Sequence, residues 1–355
     1  MDPVGFLDSY PGRLLAVDEV QCVPELVLAL KLIVDRDQRP GRFLLTGSAN
    51  LLNLPMVGDS LAGRTESINL YGISQGEING HKERFIDRTL SGERFLDYST
   101  NLSRNDYMEI VTTGGFPEVI ARRTGSRRNI WFDNYSNAIV RRDAEEITNL
   151  HRISELPTIL KILAARSSGE LNIADVSRDT SIPQRTLVPY LELLQTLYLA
   201  QHIPAWRTNL AQRVVSRPKV ALLDSGLTAR LMNVSASALS QTVSPHLAGG
   251  LLEGFVAGEI SRQMTWSYER LELSHFRDQN AGEVDLILET PDGRVVGIEV
   301  KATSTPVPRD AKGLIYLRDR LGSRFISGII LHTGSSSASF VDRITALPLD
   351  ALWKT

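Results

Sequence analysis

Two short, unbroken runs of apolar residues near the start of the chain constrain its fold more than any other feature. They are Leu14-Leu-Ala-Val17 and Arg42-Phe-Leu-Leu-Thr46. Continuous apolar runs of this length are typical of strands buried on both faces. Between them, Pro24–Val34 has apolar residues at helical spacing and a proline in its first turn, which is a favoured place for proline. The order strand, helix, strand predicts a parallel sheet of an α/β fold.

Length, charge and cysteine content limit the classes of protein that the chain can belong to. Its 355 residues suffice for about two or three domains, and its net charge is −2, so a nucleic acid or an acidic membrane requires a local basic patch. Cys22 is the only cysteine, which excludes an intrachain disulfide and disfavours a cysteine zinc site. The first residues lack the pattern of a signal peptide, and no apolar run reaches about 18 residues. We therefore expect a cytoplasmic protein with no membrane partner.

Changes in pattern along the chain predict four parts. Residues 1–75 contain the two buried strands, residues 76–150 form a helical region that begins with a polar, exposed stretch from Gly76 to Asn105, residues 151–232 form a winged-helix-like unit, and residues 245–355 form an α/β/α domain. The serine-rich stretch Asn233–Ser244 is predicted to be a linker.

The third part has the spacing of a winged helix-turn-helix. A short helix, a turn and a longer helix, Gln184–Leu199, precede a predicted strand. Arg185, on the exposed side of the longer helix, is a candidate nucleic-acid contact, whereas Glu192 on the same side disfavours DNA. A unit that binds DNA and one that only packs against protein both remain open.

The last part reads as a helix, Leu251–Met264, followed by three strands, a helix and a further strand. Pro291-Asp292-Gly293 supplies the turn of a central hairpin between Glu283–Glu289 and Arg294–Lys301. Helices predicted on both sides of this sheet would cover its two faces, which predicts a layered α/β/α domain.

The residues that follow the two front strands are those of a nucleotide hydrolase. Asp18 and Glu19 end the first strand, where one carboxylate can hold Mg²⁺ through water and its neighbour can polarise an attacking water. Thr46 and Ser48 end the second strand, and Arg64 could stabilise phosphate charge. The phosphate-binding pattern Gly-x-x-x-x-Gly-Lys-Ser/Thr is absent from the 355 residues. We therefore expect weak ATP binding.

These motifs resemble those of the prokaryotic AAA-type ATPases that carry a C-terminal domain of unknown function with a restriction-endonuclease-like fold. The resemblance is carried by the following segments: Val17-Asp-Glu-Val-Gln21 with Pro24-Glu-Leu26, Arg42-Phe-Leu-Leu-Thr-Gly-Ser-Ala-Asn50, Ser60-Leu-Ala-Gly-Arg64, Gly114-Gly-Phe-Pro-Glu118, Leu222-Leu-Asp-Ser-Gly-Leu-Thr-Ala-Arg-Leu231, Leu252-Glu-Gly-Phe-Val256, Glu283-Val-Asp285 and Gly297-Ile-Glu-Val-Lys-Ala302. It implies an ATPase family member that lacks the leading P-loop portion, with ATP and Mg²⁺ as the family's cofactors and Asp18, Glu19, Thr46 and Arg64 at ATPase motif positions.

Acidic and basic residues in the rear hairpin have the arrangement of a metal-dependent nuclease core. Glu299 and Lys301 share one face of a strand, and Asp285 begins the neighbouring strand. The two carboxylates could bind Mg²⁺ or Mn²⁺, with Lys301 orienting or deprotonating a water. Glu253 is a candidate third ligand, and Arg277 a candidate phosphate contact. An ordinary surface ion pair is the alternative for Glu299 and Lys301.

Three interpretations of the function remain open. The first is an ATPase-family protein that acts on DNA or RNA with a nuclease-like rear domain. The second is a non-catalytic module that binds DNA or a protein, with vestigial ATPase and nuclease sites; a protein partner or a homo-oligomer is compatible with both. The third is a decayed product whose truncated parallel sheet exposes an unpaired edge.

Overall fold

A computed structural model describes residues 2–10, 12–50, 61, 63–139, 153–208, 213, 216–241, 245–278, 280 and 282–355. The chain divides into two compact units. The first consists of residues 1–70, 135–157 and 182–200, and the second of residues 71–134, 158–181 and 201–355. The predicted division into four parts stays a prediction.

The described residues form the following helices and strands. In chain order they are α1 (Pro3–Asp8), β1 (Leu15–Val17), α2 (Pro24–Arg36), β2 (Phe43–Leu45), α3 (Gln75–Asn79), α4 (Phe85–Leu90), α5 (Arg104–Thr113), α6 (Pro117–Ile120), α7 (Gly125–Ala138), α8 (Leu156–Ala165), α9 (Ile173–Thr180), α10 (Gln184–Thr196), β3 (Ala200–Ile203), β4 (Lys219–Leu222), α11 (Ser225–Leu231), α12 (Ala236–Ser240), α13 (Pro245–Gln263), β5 (Glu272–Asp278), β6 (Gly282–Glu289), β7 (Val295–Lys301), α14 (Lys312–Leu321), β8 (Phe325–His332), β9 (Ala338–Val341), β10 (Ile344–Pro348) and α15 (Ala351–Lys354).

The first unit contains the predicted parallel pair. Strands β1 and β2 run parallel, with Leu15 beside Phe43 and Val17 beside Leu45, which confirms the predicted pairing. The prediction that both strands are buried on both faces is wrong, because their central residues Ala16 and Leu44 are exposed. Helix α2 begins at a proline, and its buried face packs with α1 in a small core made of Leu7, Val20, Leu26, Val27, Ala29, Leu30, Ile33 and Leu61. Strand, helix and strand therefore form one α/β motif whose two strands end beside each other.

The second unit is built on a mixed sheet of six strands in the order β5-β6-β7-β8-β10-β9. The hairpin of β6 and β7 is antiparallel, whereas β7, β8 and β10 run parallel. Ile298 and Val300 of β7 face the core that includes Phe255 of α13, and Val295 faces the core that includes Leu314 of α14. Helices thus cover both faces of this sheet, and the predicted α/β class is confirmed.

Two stretches differ from the sequence-based expectation. The polar segment from Gly76 to Asn105 is helical only over parts of α3, α4 and α5, and Phe85 and Ile86 are buried in the main core rather than exposed. The predicted linker Asn233–Ser244 contains α12, whose Leu239 is buried. Residues 242–244 of that linker and residues 140–150 of the predicted helical region lie outside the described residues. In both stretches a few apolar side chains are buried in the core although most residues of the segment are polar.

The elements predicted for the winged helix are present, with α8, α9 and α10 followed by the paired strands β3 and β4. Helix α9 belongs to the second compact unit and α10 to the first. The winged-helix assignment stays a prediction. Within the described part of the chain, no helix is both long enough and apolar enough to span a membrane.

Candidate functional site

The hairpin of β6 and β7 brings two acidic residues and a lysine together in the second unit. Leu286 pairs with Ile298 across the hairpin, so Asp285 and Glu299 lie one residue beyond that pair on neighbouring strands. Asp285 is 3% exposed and Glu299 is 6% exposed. The backbone N–H of Val300 donates to Oδ2 of Asp285 at 2.9 Å, and Nζ of Lys301 donates to Oε1 of Glu299 at 2.5 Å. Because both carboxylates are shielded from water, the surface ion pair considered above does not describe this arrangement.

A second lysine, which the sequence did not single out, lies within the same group of carboxylates. Nζ of Lys219, the first residue of β4, is 2.8 Å from Glu283, 3.1 Å from Asp285 and 3.4 Å from Glu253. Its side chain is only 3% exposed. Lys219 is the first residue of β4, and all four residues of that strand are buried. In the sequence, the local indication that this lysine is buried was its position at the start of an apolar run. We call Lys219, Glu253, Glu283, Asp285, Glu299 and Lys301 the rear cluster.

The rear cluster carries more negative than positive charge. It contains four carboxylates and two ammonium groups, which leaves an excess of two negative charges when all are ionised. Burial and then the charge of Asp285 raise the pKa of Glu253 to about 8, and they hold the pKa of Glu299 well above its usual range. Burial lowers the pKa of Lys219, but the surrounding carboxylates outweigh it and the net shift is upward. The cluster therefore favours an additional positive charge.

One oxygen of the rear cluster has no partner among the described residues. Oε2 of Glu299 is buried without a hydrogen bond, although an unpaired buried carboxylate oxygen is costly. Oxygen atoms of carboxylates are the ligands that Mg²⁺ and Mn²⁺ prefer. The donor set and the excess charge fit one divalent cation at Asp285 and Glu299. Within the described residues, no group of three acidic, histidine or cysteine side chains is arranged as a metal site, since Glu253 faces Lys219 instead.

The predicted nucleotide-site residues of the first unit also meet. The hydroxyl of Thr46 donates to Oδ1 of Asp18, and the backbone N–H of Ser48 donates to Oε2 of Glu19 at 3.2 Å. The side-chain amide of Gln21 bonds both Glu19 and Ser48. These residues lie where the two parallel strands end, and Asp18, Glu19, Thr46 and Ser48 are exposed. We call these four residues the front cluster.

Arg64, the remaining predicted nucleotide-site residue, forms its ion pair away from the front cluster. Its guanidinium forms an ion pair with Asp35 at 2.6 Å, and its hydrogen bond holds the pKa of Asp35 below the usual range. Asp35 lies in the last turn of α2, whereas Asp18 precedes the start of that helix. In a strand-helix-strand motif the helix returns to the start of the sheet, so this ion pair lies at the opposite end of α2 from the front cluster.

Arg185 and Arg277, the predicted nucleic-acid contacts, are both exposed. Arg185 lies in the first turn of α10 in the first unit, and Arg277 lies on β5 in the second. Arg277 is 3.6 Å from Glu170 and 3.9 Å from Glu283, which places it at the border of the rear cluster.

The motifs that begin at Gly114 and at Leu222 meet in a buried network of hydrogen bonds around Asp224. Asp224 accepts hydrogen bonds from the backbone N–H groups of Gly115 at 2.7 Å and Leu227 at 2.8 Å. Gly114 has φ of 74°, and a Cβ there would lie 2.4 Å from Oδ1 of Asp224. Glycine is therefore required at this position, and the motifs Gly114-Gly-Phe-Pro and Leu222-Leu-Asp-Ser-Gly meet to anchor α11.

Comparison with known proteins identifies three matched regions. Residues 3–79 match an AAA domain, residues 104–238 match a domain of unknown function (DUF8612), and residues 248–352 match a second domain of unknown function (DUF4143). Two uncharacterized proteins, from Mycobacterium bovis and Mycobacterium tuberculosis, are each 26% identical over 355 residues, which covers 100% of this chain and 72% of the relative. No solved structure matches the chain significantly.

The chain is therefore similar to an AAA domain at residues 3–79 and to the domain of unknown function (DUF4143) at residues 248–352. The predicted AAA resemblance is confirmed for the first of these regions, and the restriction-endonuclease-like fold of the rear domain stays a prediction. The front cluster lies within the region that matches the AAA domain. The rear cluster draws Lys219 from the second matched region and its carboxylates and Lys301 from the third.

Proposed function

We propose that the rear cluster is the site of a metal-dependent phosphodiesterase that acts on nucleic acid, in a protein with an AAA domain of the ATPase type. The observation that carries the proposal is the buried, unpartnered Oε2 of Glu299 beside Asp285, in a cluster that contains four carboxyl groups and two ammonium groups. One divalent cation would satisfy both the oxygen and the charge.

Asp285 and Glu299 would hold the metal, because they lie on neighbouring strands and Oε2 of Glu299 has no hydrogen-bond partner. A bound Mg²⁺ would polarise a phosphoryl oxygen and lower the pKa of a water molecule. Lys301 has a raised pKa, to which Glu299 and Asp285 contribute against the effect of burial. It therefore remains an ammonium and donates hydrogen bonds to the attacking water or to the phosphate, rather than taking a proton. In the net reaction, the water oxygen bonds to phosphorus, one ester P–O bond breaks and the leaving oxygen gains a proton.

The test is cleavage of labelled single-stranded DNA, double-stranded DNA and RNA by the full chain, with Mg²⁺ or Mn²⁺ and with EDTA. Glu299→Gln is expected to abolish cleavage, because the amide cannot replace the metal-binding carboxylate. Glu272→Gln, an exposed position on β5 of the same sheet, is the matched control and should cleave as the wild type does. Equal cleavage by Glu299→Gln, or no cleavage with either metal, would contradict the proposal.

The front cluster supports a role for Asp18 and Glu19 on the water and magnesium side of a nucleotide site. Since the 355 residues lack a Gly-x-x-x-x-Gly-Lys-Ser/Thr motif, we propose that this chain binds Mg²⁺-ATP more weakly than micromolar. Isothermal titration with Mg²⁺-ATP measures this affinity directly. Micromolar binding would show that other residues hold the phosphates.

A non-catalytic nucleic-acid-binding protein is the second candidate, and Lys219 favours it, because a buried ammonium already neutralises part of the rear cluster. Binding that weakens steeply with salt, with no turnover under any metal condition, would support this candidate over the first.

A further inference from the structure

The surroundings of Lys219 are those of a bound cation. Its Nζ lies 2.8 to 3.4 Å from oxygens of three different carboxylates, contributed by α13 and β6. A lysine is almost never fully buried unless it is paired. Here a single ammonium contacts Glu253, Glu283 and Asp285 at once.

Lys219 is held in place by backbone contacts on both sides. The N–H of Ser168 donates to the carbonyl of Val220 at 2.9 Å, and the N–H of Val220 donates to Gly169 at 3.1 Å. The N–H of Leu171 donates to Pro218, the residue before Lys219, at 2.8 Å. The ammonium is therefore presented by a short, paired strand, and its side chain has little room to swing into solvent.

We propose that Lys219 is a resident counter-cation that occupies one of two cation positions in the rear cluster, so that only the position at Asp285 and Glu299 is left for a metal ion. The proposal rests on the proposed function only for that second position. Lys219 is a positioning residue: it binds Glu253 and Glu283 and fixes one oxygen of Asp285, whose other oxygen accepts the Val300 N–H.

The distances make this position convertible to a metal site. Divalent cations bind carboxylate oxygens at about 2.0–2.6 Å. The three oxygens around Nζ would have to move inward by between about 0.2 and 1.4 Å to reach such distances. Removal of the ammonium would also take away the ion-pair partner of Glu253 and Asp285, and would leave Glu283 with Arg277 at 3.9 Å. A divalent ion is then the strongest available replacement.

The experiment is Lys219→Met in the full chain, which keeps the length of the apolar stem and removes the charge. Isothermal titration with Mn²⁺ is expected to give one ion per chain for the wild type and two for the variant. In thermal unfolding, saturating Mn²⁺ is expected to raise the melting temperature of the variant by roughly 5 °C more than that of the wild type.

Two further variants serve as controls. Lys219→Arg keeps a positive charge in place and should bind the wild-type number of ions. Lys312→Met removes an exposed lysine that donates to the carbonyl of Asn280, and should leave metal binding unchanged. If Lys219→Met unfolds in metal-free buffer, refolding in Mn²⁺ is expected to restore it.

A folded Lys219→Met that binds no additional ion, or one that Mn²⁺ cannot stabilise or restore, would overturn the proposal. The outcome is separable from the proposed function. If the wild type binds no ion and Lys219→Met binds one, the counter-cation stands and the metal-dependent reaction fails. If both proteins bind one ion, the metal position at Glu299 stands and the counter-cation fails.

Discussion

The front and rear clusters hold their carboxylates by different means. Asp18 and Glu19 in the first unit are exposed, and their partners are neutral: a hydroxyl, a side-chain amide and a backbone N–H. Asp285 and Glu299 in the second unit are buried, and ammonium groups contact both. Water can solvate the front charges, whereas the rear charges require cations within the protein or bound to it.

A third group of carboxylates shows an intermediate case. Asp224 and Glu83 are buried in the second unit, and most of their partners are backbone N–H groups or hydroxyls. Burial raises the pKa of Asp224, and it raises that of Glu83 to about 7. Neutral donors therefore hold a buried carboxylate in place without fully compensating its charge. The following predictions test this dependence on burial and on the charge of the partner.

The largest effect is expected where a cation of the rear cluster is removed. Lys301→Met should lower the rate of the proposed nucleic-acid cleavage by about 100- to 10,000-fold, because the ammonium that orients water or phosphate is lost. Single-turnover cleavage at saturating Mg²⁺ measures this rate, and Lys312→Met is the control. A decrease of less than about tenfold would remove Lys301 from the reaction.

The next effect concerns a buried carboxylate that only neutral donors contact directly. Asp224→Ala would leave the N–H groups of Gly115 and Leu227 without their acceptor, and should lower the free energy of unfolding by about 2–5 kcal/mol. Asp133→Ala removes the exposed ion-pair partner of Arg230, a residue of the helix α11 that Asp224 also anchors. This change should lower the free energy of unfolding by at most about 1 kcal/mol. Urea unfolding compares the two, and equal losses would show that burial is not the deciding factor.

Glu83 should make stability depend on pH. Its pKa is raised by burial from 4.5 to about 7, so the folded state binds the proton more tightly than the unfolded state. The stabilisation is complete below pH 4.5 and is lost as the pH rises through about 7, with a total on the order of 3 kcal/mol. Glu83→Gln removes this contribution.

The measurement is urea unfolding of both proteins across this pH range. The wild type should lose stability relative to Glu83→Gln as the pH rises. A constant difference between the two proteins would mean that Glu83 keeps an ordinary pKa.

The smallest effect is expected at the front cluster. Thr46→Val removes the hydroxyl that donates to the exposed Asp18, and should change the free energy of unfolding by no more than about 0.5 kcal/mol. Thr100→Val removes the same kind of bond to the fully buried Asp350, and should cost about 1 kcal/mol or more. If Thr46→Val proved the more harmful change, the front cluster would have a structural role that its exposure does not suggest.

The sequence predicts those parts of the fold that depend on local patterns. Strands β1, β2, β6 and β7 were predicted within about two residues, because their apolar runs are continuous and the hairpin turn contains Pro291-Asp292-Gly293. Asp285, Glu299 and Lys301 could be grouped because an antiparallel hairpin fixes which residues are neighbours. The strands β9 and β10 were missed, since the chain end carries no comparable pattern.

Contacts between distant segments were beyond prediction. Lys219 precedes Asp285 by 66 residues, and the strand that carries it joins a separate two-stranded sheet. Asp224 and Gly115 are 109 residues apart, and only the packed second unit brings them together. Arg64 matched a motif position, but in the folded chain it forms an ion pair with Asp35 at the end of α2. No periodicity or spacing encodes such pairings.

The most direct test of the account is the location of Mn²⁺ in crystals of the full chain soaked with that ion. We predict one anomalous difference peak in the rear cluster, in contact with Asp285 and with Oε2 of Glu299, while Lys219 keeps its contacts to Glu253 and Glu283. A rear cluster without a peak at saturating Mn²⁺, or a peak that displaces Lys219 from its carboxylates, would contradict the account.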